Sequence, residues 1–81
     1  MVTYSDVITK RILDLCQERG ITLNRLAFLS GINQSTLENI VKGNTKSPGV
    51  RTICRIAQGL GVTPAEFFDF PEINKILLDD E

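Results

Sequence analysis

Residues 22–42 read TLNRLAFLSGINQSTLENIVK, two short segments rich in leucine and isoleucine on either side of a glycine. Gly31 breaks it into two short segments. Before the break, Leu23, Leu26, Ala27 and Leu29 are available for burial on a helix that Thr22 caps and that runs to about Ser30. After it, Asn33 is placed to cap a second helix running through Lys42. There Leu37, Ile40 and Val41 fall at i, i+3 and i+4, one side of a helix, and Gly43 ends the pattern.

Towards the N-terminus, Ile8, Ile12, Leu15 and Cys16 form an amphipathic stripe predicting a helix over 5–19, with Ser5 as its N-cap and Gly20 as its stop. Towards the C-terminus, residues 43–49 (GNTKSPG) are a loop by composition. Ile53, Ile56, Ala57 and Leu60 then make a fourth helical stripe, ended by Gly61. Thr63-Pro64-Ala65-Glu66 combines a capping threonine, proline at the first helical position and the glutamate of a capping box. This fifth helix is expected to be short, Pro64 to Phe68, because Pro71 follows closely. Pro71 opens a final turn in which Ile73, Ile76 and Leu77 share a face. No segment alternates as a strand does, so the expected fold is all-α: a compact five-helix bundle with a short C-terminal helical turn.

Eighty-one residues support one domain, 1–81, with a core at about 5–70 and an extension at 71–81. Hydrophobic residues at 42% and charged residues at 23% are those of an ordinary globular protein. No apolar run is long enough to span a bilayer, and the first ten residues lack the pattern of a secretory leader, so a cytoplasmic location is expected. Cys16 and Cys54 are far apart, and the chain has no histidine, so structural thiols are expected rather than a metal site or disulfide framework. Without histidine, a nucleophile and base pair or a phosphate-cradling glycine loop, the chain is not expected to be an enzyme, and no cofactor or small-molecule ligand is expected.

The net charge is −1, but it is unevenly distributed. Residues 1–60 hold eight cations (Lys10, Arg11, Arg19, Arg25, Lys42, Lys46, Arg51, Arg55) against four anions, whereas residues 61–81 hold Lys75 against six anions. A cationic body with an acidic tail suits a polyanionic partner.

Two short helices joined by a glycine turn form the layout of a helix-turn-helix unit, whose second helix enters the major groove of DNA. The segments RILDLCQERGIT (11–22), LAFLSGINQSTLENIVKG (26–43) and SPGVRTICRIAQGLGVTPAEFF (47–68) together resemble the Cro and lambda-repressor-like, or Xre-type, family of bacterial regulators. Leu26-Ala27, Gly31-Ile32, Thr36-Leu37, Ile40, Gly43, Pro48, Ile56-Ala57 and Leu60-Gly61 all occur in register. The resemblance implies a five-helix bundle whose third helix reads DNA, commonly as a homodimer on a pseudo-palindromic operator, with Gln34, Ser35 and Asn39 at base-contacting positions.

With Leu37, Ile40 and Val41 turned inward, Gln34, Ser35, Glu38, Asn39 and Lys42 point outward. Glutamine and asparagine suit adenine, serine suits either partner of a base pair, and glutamate suits the cytosine amine. Such a set equally suits a solvated face. Thr22, Arg25, Asn33, Thr36, Lys42, Asn44, Thr45 and Lys46 are the candidates for phosphate contact, beside the amides at the two helix starts. Leu23 departs from the family pattern, where a polar residue is common, and Arg51 and Arg55 suit surface pairs better than phosphate. Phe28, a large aromatic on the outer side of its helix, either completes the core, the favoured reading, or stands exposed for a partner. Phe67, Phe68, Phe70, Ile73, Ile76 and Leu77 divide between core closure and a candidate dimer surface.

The function expected from these residues is sequence-specific binding of double-stranded DNA as a small regulator, with repression the favoured output. The competing reading is a protein-binding module on the same fold, antitoxin-like or adaptor-like, which the modest charge and Leu23 support.

Overall fold

A computed structural model describes residues 4–44 and 48–79, and within 71–79 the side chains as far as Lys75. Among the described residues six helices follow in order: α1 (Tyr4–Arg19), α2 (Leu23–Ser30), α3 (Gln34–Val41), α4 (Val50–Leu60), α5 (Pro64–Phe67) and α6 (Pro71–Asp79). There is no strand among the described residues, so the all-α expectation holds.

The buried residues are largely those of the sequence stripes. Ile8, Ile12, Leu15 and Cys16 of α1, Leu37 and Ile40 of α3, and Ile53, Ile56, Ala57 and Leu60 of α4 enter one cluster with Leu26, Ala27, Val7, Phe67 and Ile73. α2 packs most extensively on α4, and α1 runs against α3, α4 and α6. Close packing of α2 on α4 depends on Gly59, which faces Ser30.

Two arginines stitch the far end of the bundle. Arg11 donates from Nε to the Phe67 carbonyl (2.8 Å) and from Nη2 to the Glu66 carbonyl (2.7 Å), and its guanidinium lies 5.0 Å from the centre of the Phe70 ring. Arg19 donates to the Leu60 carbonyl at the end of α4. Both donate to carbonyls at helix C-termini, where the intrahelical ladder runs out.

Several expectations need correction. The anticipated final turn is a nine-residue helix, making six helices rather than five. Pro71, whose fixed φ suits a first helical position, starts it, and buried Ile73 anchors it. The expected side chains Ile76 and Leu77 lie outside the described ones. α5 ends at Phe67, with Phe68 as its C-cap. Ser5 lies inside α1 instead of capping it, and α3 closes at Val41 with Lys42 as its C-cap. Phe28 is not core: it is 74% exposed, and Leu29 is 42% exposed. The face of α2 that meets α4 is formed by Leu26, Ala27 and Ser30, which turns residues 28 and 29 outward. Cys16 is buried, whereas Cys54 is half-buried.

Candidate nucleic-acid interface

The turn between α2 and α3 is built by Gly31. At φ 69° and ψ 29° it occupies the left-handed region, where a side chain would be strained, and its N–H returns to carbonyls of α2. Ile32 N–H also returns, to the Ala27 carbonyl at 3.2 Å, so the chain leaves α2 in a fixed direction. Arg55 of α4 adds a bond from Nη1 to the Gly31 carbonyl, 3.4 Å, bracing the turn from the side and pairing with a carbonyl instead of a surface carboxylate.

α3 is held from beneath by Leu37 and Ile40, with Val41 half-buried beside them. From α1, the Thr9 hydroxyl donates to the Ile40 carbonyl at 3.1 Å, satisfying one acceptor near the end of α3. With the helix fixed in rotation, its other residues are displayed. Gln34, Ser35, Thr36 and Asn39 are exposed, and Glu38 is half-buried. Four of the named base-reading candidates, Gln34, Ser35, Glu38 and Asn39, therefore share one side of one helix.

These side chains are not all loose. Gln34 Nε2 donates to Glu38 Oε1 at 3.1 Å. Asn44, just past the helix, donates from its backbone N–H to the Asn39 carbonyl at 2.9 Å, and its side-chain amide lies 3.5 Å from Asn39 Oδ1. Lys42 and Asn44 are exposed at this end.

The phosphate candidates divide into groups. Thr22 caps α2, its Oγ1 accepting from Arg25 N–H at 3.1 Å, which leaves the hydroxyl proton to donate outward. Asn33 occupies the N-cap position of α3 but makes no side-chain capping bond, contrary to the expected cap. Its amide and the first N–H groups of α3 therefore lie together on the surface. Thr45 and Lys46 lie outside the described residues.

Phe28, expected in the core, stands instead on the surface beside Arg25. The Arg25 guanidinium lies 5.3 Å from the centre of the Phe28 ring, so the exposed aromatic is a platform for a cation on the outer face of α2. The i, i+3 spacing of the two residues was the available signal. Leu23, the apolar departure, is half-buried against the core.

Among the described residues, no group of three or more His, Cys, Asp or Glu could hold a metal ion, and no helix is long and apolar enough to cross a membrane. Burial pushes the Cys16 thiol above its ordinary pKa, the opposite of an activated nucleophile.

Comparison with known proteins places this geometry in context. A helix-turn-helix family model matches residues 12–67. The HTH-type transcriptional regulator PuuR of Escherichia coli (strain K12) is 32% identical over 63 residues, covering 78% of this chain. The HTH-type transcriptional regulator SutR of the same organism is 35% identical over 72 residues, covering 89% of it. The chain spans only 34% and 40% of the lengths of these two relatives. Among solved structures, the prophage Lp1 protein 11 superposes with a TM-score of 0.82 at 35% identity, covering 91% of this chain and 97% of that one.

Proposed function

Because the chain belongs to the Xre-type helix-turn-helix family, we propose that it is a sequence-specific double-stranded DNA-binding regulator whose α3 enters the major groove. One observation carries the reading. An eight-residue helix is anchored by two buried aliphatic residues and presents Gln34, Ser35 and Asn39 outward, with Lys42 and Asn44 exposed at its end. These are groups that bond to base edges and to phosphate, in the order a groove-bound helix needs them.

In this reading Gln34, Ser35 and Asn39 address bases, with Glu38 on the same side of the helix. Thr22, Arg25, Asn33, Thr36, Lys42, Asn44, Thr45 and Lys46 address the backbone. Residues 1–81 act as one cytoplasmic domain and repress transcription from a pseudo-palindromic operator as a homodimer. Two copies then present their α3 helices about 34 Å apart, one turn of DNA. Phe67 and Ile73 are taken up by the core, so the candidate contact between copies falls to the rest of the C-terminal apolar set.

A second reading has an observation of its own. Phe28 at 74% and Leu29 at 42% exposure leave apolar surface on α2, which suits a protein partner. Salt separates the two. The experiment is fluorescence anisotropy of the purified chain on DNA flanking its own coding region, with scrambled competitor, across a salt series. Specific binding that weakens steeply with salt and is lost in Gln34→Ala supports operator reading, since released counterions drive phosphate contacts. Folded protein that binds neither this DNA nor random genomic fragments at low salt turns the assignment to the protein-partner reading.

A further inference from the structure

The hydrogen bond from Gln34 Nε2 to Glu38 Oε1 joins two of the residues that α3 displays, one helical turn apart. Its direction is dictated by chemistry. An ionised carboxylate only accepts, so Gln34 must turn its amino group towards Glu38 and its carbonyl oxygen away. One acceptor and one remaining N–H are then left on Gln34 for an outside partner. That pair complements the major-groove edge of adenine, which offers the N6 amino group as donor and N7 as acceptor. Guanine offers two acceptors there, O6 and N7, and suits an amide free to present both of its N–H groups.

We propose that Glu38 is a positioning residue that fixes the direction of the Gln34 amide and so makes α3 favour adenine over guanine at the base pair facing Gln34. The inference rests on α3 being the groove-reading helix. Its burial separates Glu38 from the other displayed residues: Gln34, Ser35 and Asn39 are exposed, whereas Glu38 is half-buried. In open water a pair on one helix face exchanges freely with solvent. In a groove emptied of water, a flipped Gln34 amide would set its carbonyl oxygen against the carboxylate and leave both groups short of a donor.

The test begins with selection of binding sites from a random duplex library by the purified chain. Anisotropy titrations then follow on the selected duplex, with A·T exchanged for G·C at each position in turn. Gln34→Ala identifies the base pair that Gln34 faces, as the one whose preference it erases. There the native chain is expected to favour adenine over guanine by about tenfold or more. Glu38→Ala should reduce that ratio to within about threefold while leaving preferences at other positions intact. Glu38→Gln, whose carbonyl still accepts from Gln34, should keep an intermediate ratio. Removing a negative charge strengthens binding to every duplex alike, so the ratio is the readout.

An unchanged ratio in Glu38→Ala overturns the proposal, as does a preference lost at a different base pair, which would mean that Glu38 reads a base directly. Both leave the DNA-binding assignment standing. A library from which the folded chain enriches no sequence removes that assignment and the inference with it.

Discussion

Ser30 and Gly59 meet where α2 crosses α4, and no side chain fits between them. A Cβ built on Gly59 collides with Ser30 Oγ and comes within 3.0 Å of the Ser30 backbone nitrogen and 3.1 Å of its Cα. The Ser30 hydroxyl is itself buried without a hydrogen-bond partner among the described residues.

Gly59→Ala is therefore expected to destabilise the chain by about 1 to 3 kcal/mol, against the usual gain from replacing a helical glycine by alanine. Ser30→Ala removes an unpartnered buried hydroxyl and should be neutral or stabilising by about 1 kcal/mol. The double variant should recover only part of the loss, because the backbone of residue 30 remains in the way. Urea titration measures all three, and a Gly59→Ala chain as stable as the native one would contradict this crossing.

Leu37→Ala should cost about 2 to 5 kcal/mol, since the side chain is fully buried under α3. Asn39→Ala, exposed two residues later, should stay within about 0.5 kcal/mol. Paired thermal melts decide the rotation of α3: equal effects would mean that the helix is turned differently.

Cations on opposite duties should separate in a salt series. Lys42→Ala is expected to reduce the slope of log affinity against log salt by about 1, as the loss of one phosphate contact does. Arg11→Ala removes two bonds to carbonyls of α5, so it should lower stability by about 1 kcal/mol and leave the slope unchanged. A slope that follows Arg11 rather than Lys42 would place the DNA on another face.

Glu66 carries a pH signature. Thr63 N–H donates to its carboxylate at 3.1 Å, completing the capping box and holding its pKa below the ordinary 4.5. A depressed carboxylate contributes stability that is present above the unfolded value and lost as pH falls through the folded one. The stability gap between the native chain and Glu66→Gln should thus be open at neutral pH and close below about pH 4.5. Chemical denaturation at several pH values reads it; a gap that widens on acidification would reverse the sign.

Thiol labelling supplies a check on the core. Cys16, buried and with its pKa raised by desolvation, should react with an aromatic disulfide reagent more slowly than half-buried Cys54. If both react at the rate of the denatured chain, α1 does not pack as described.

What sequence reasoning recovered was the part written in local periodicity. The stripes of α1, α3 and α4 each repeat with one clear phase, and Thr63-Pro64-Ala65-Glu66 states its own helix start. The eight residues of α2 have no such clarity, because Leu23, Leu26, Ala27, Phe28 and Leu29 surround the helix. Tertiary packing of Leu26, Ala27 and Ser30 against the rest of the bundle, with Ser30 meeting Gly59, selects which of them face inward, and that choice exposes Phe28. The bonds of Arg11 to residues 66 and 67 and of Arg19 to residue 60 were hidden for the same reason: their partners are tens of positions away. At the interface, the displayed set was legible from the phase of α3, whereas the bond joining Gln34 to Glu38 required coordinates.

The footing of α3 on two buried side chains bears on how such a chain diversifies. Positions 34, 35, 38 and 39 can change letter by letter while Leu37 and Ile40 keep the helix seated. If α3 reads DNA as proposed, new target preferences can therefore arise by substitution without first crossing a valley of misfolded intermediates. The same scaffold can be re-addressed by grafting, with the donor's surface residues moved as a group and the two anchors left untouched.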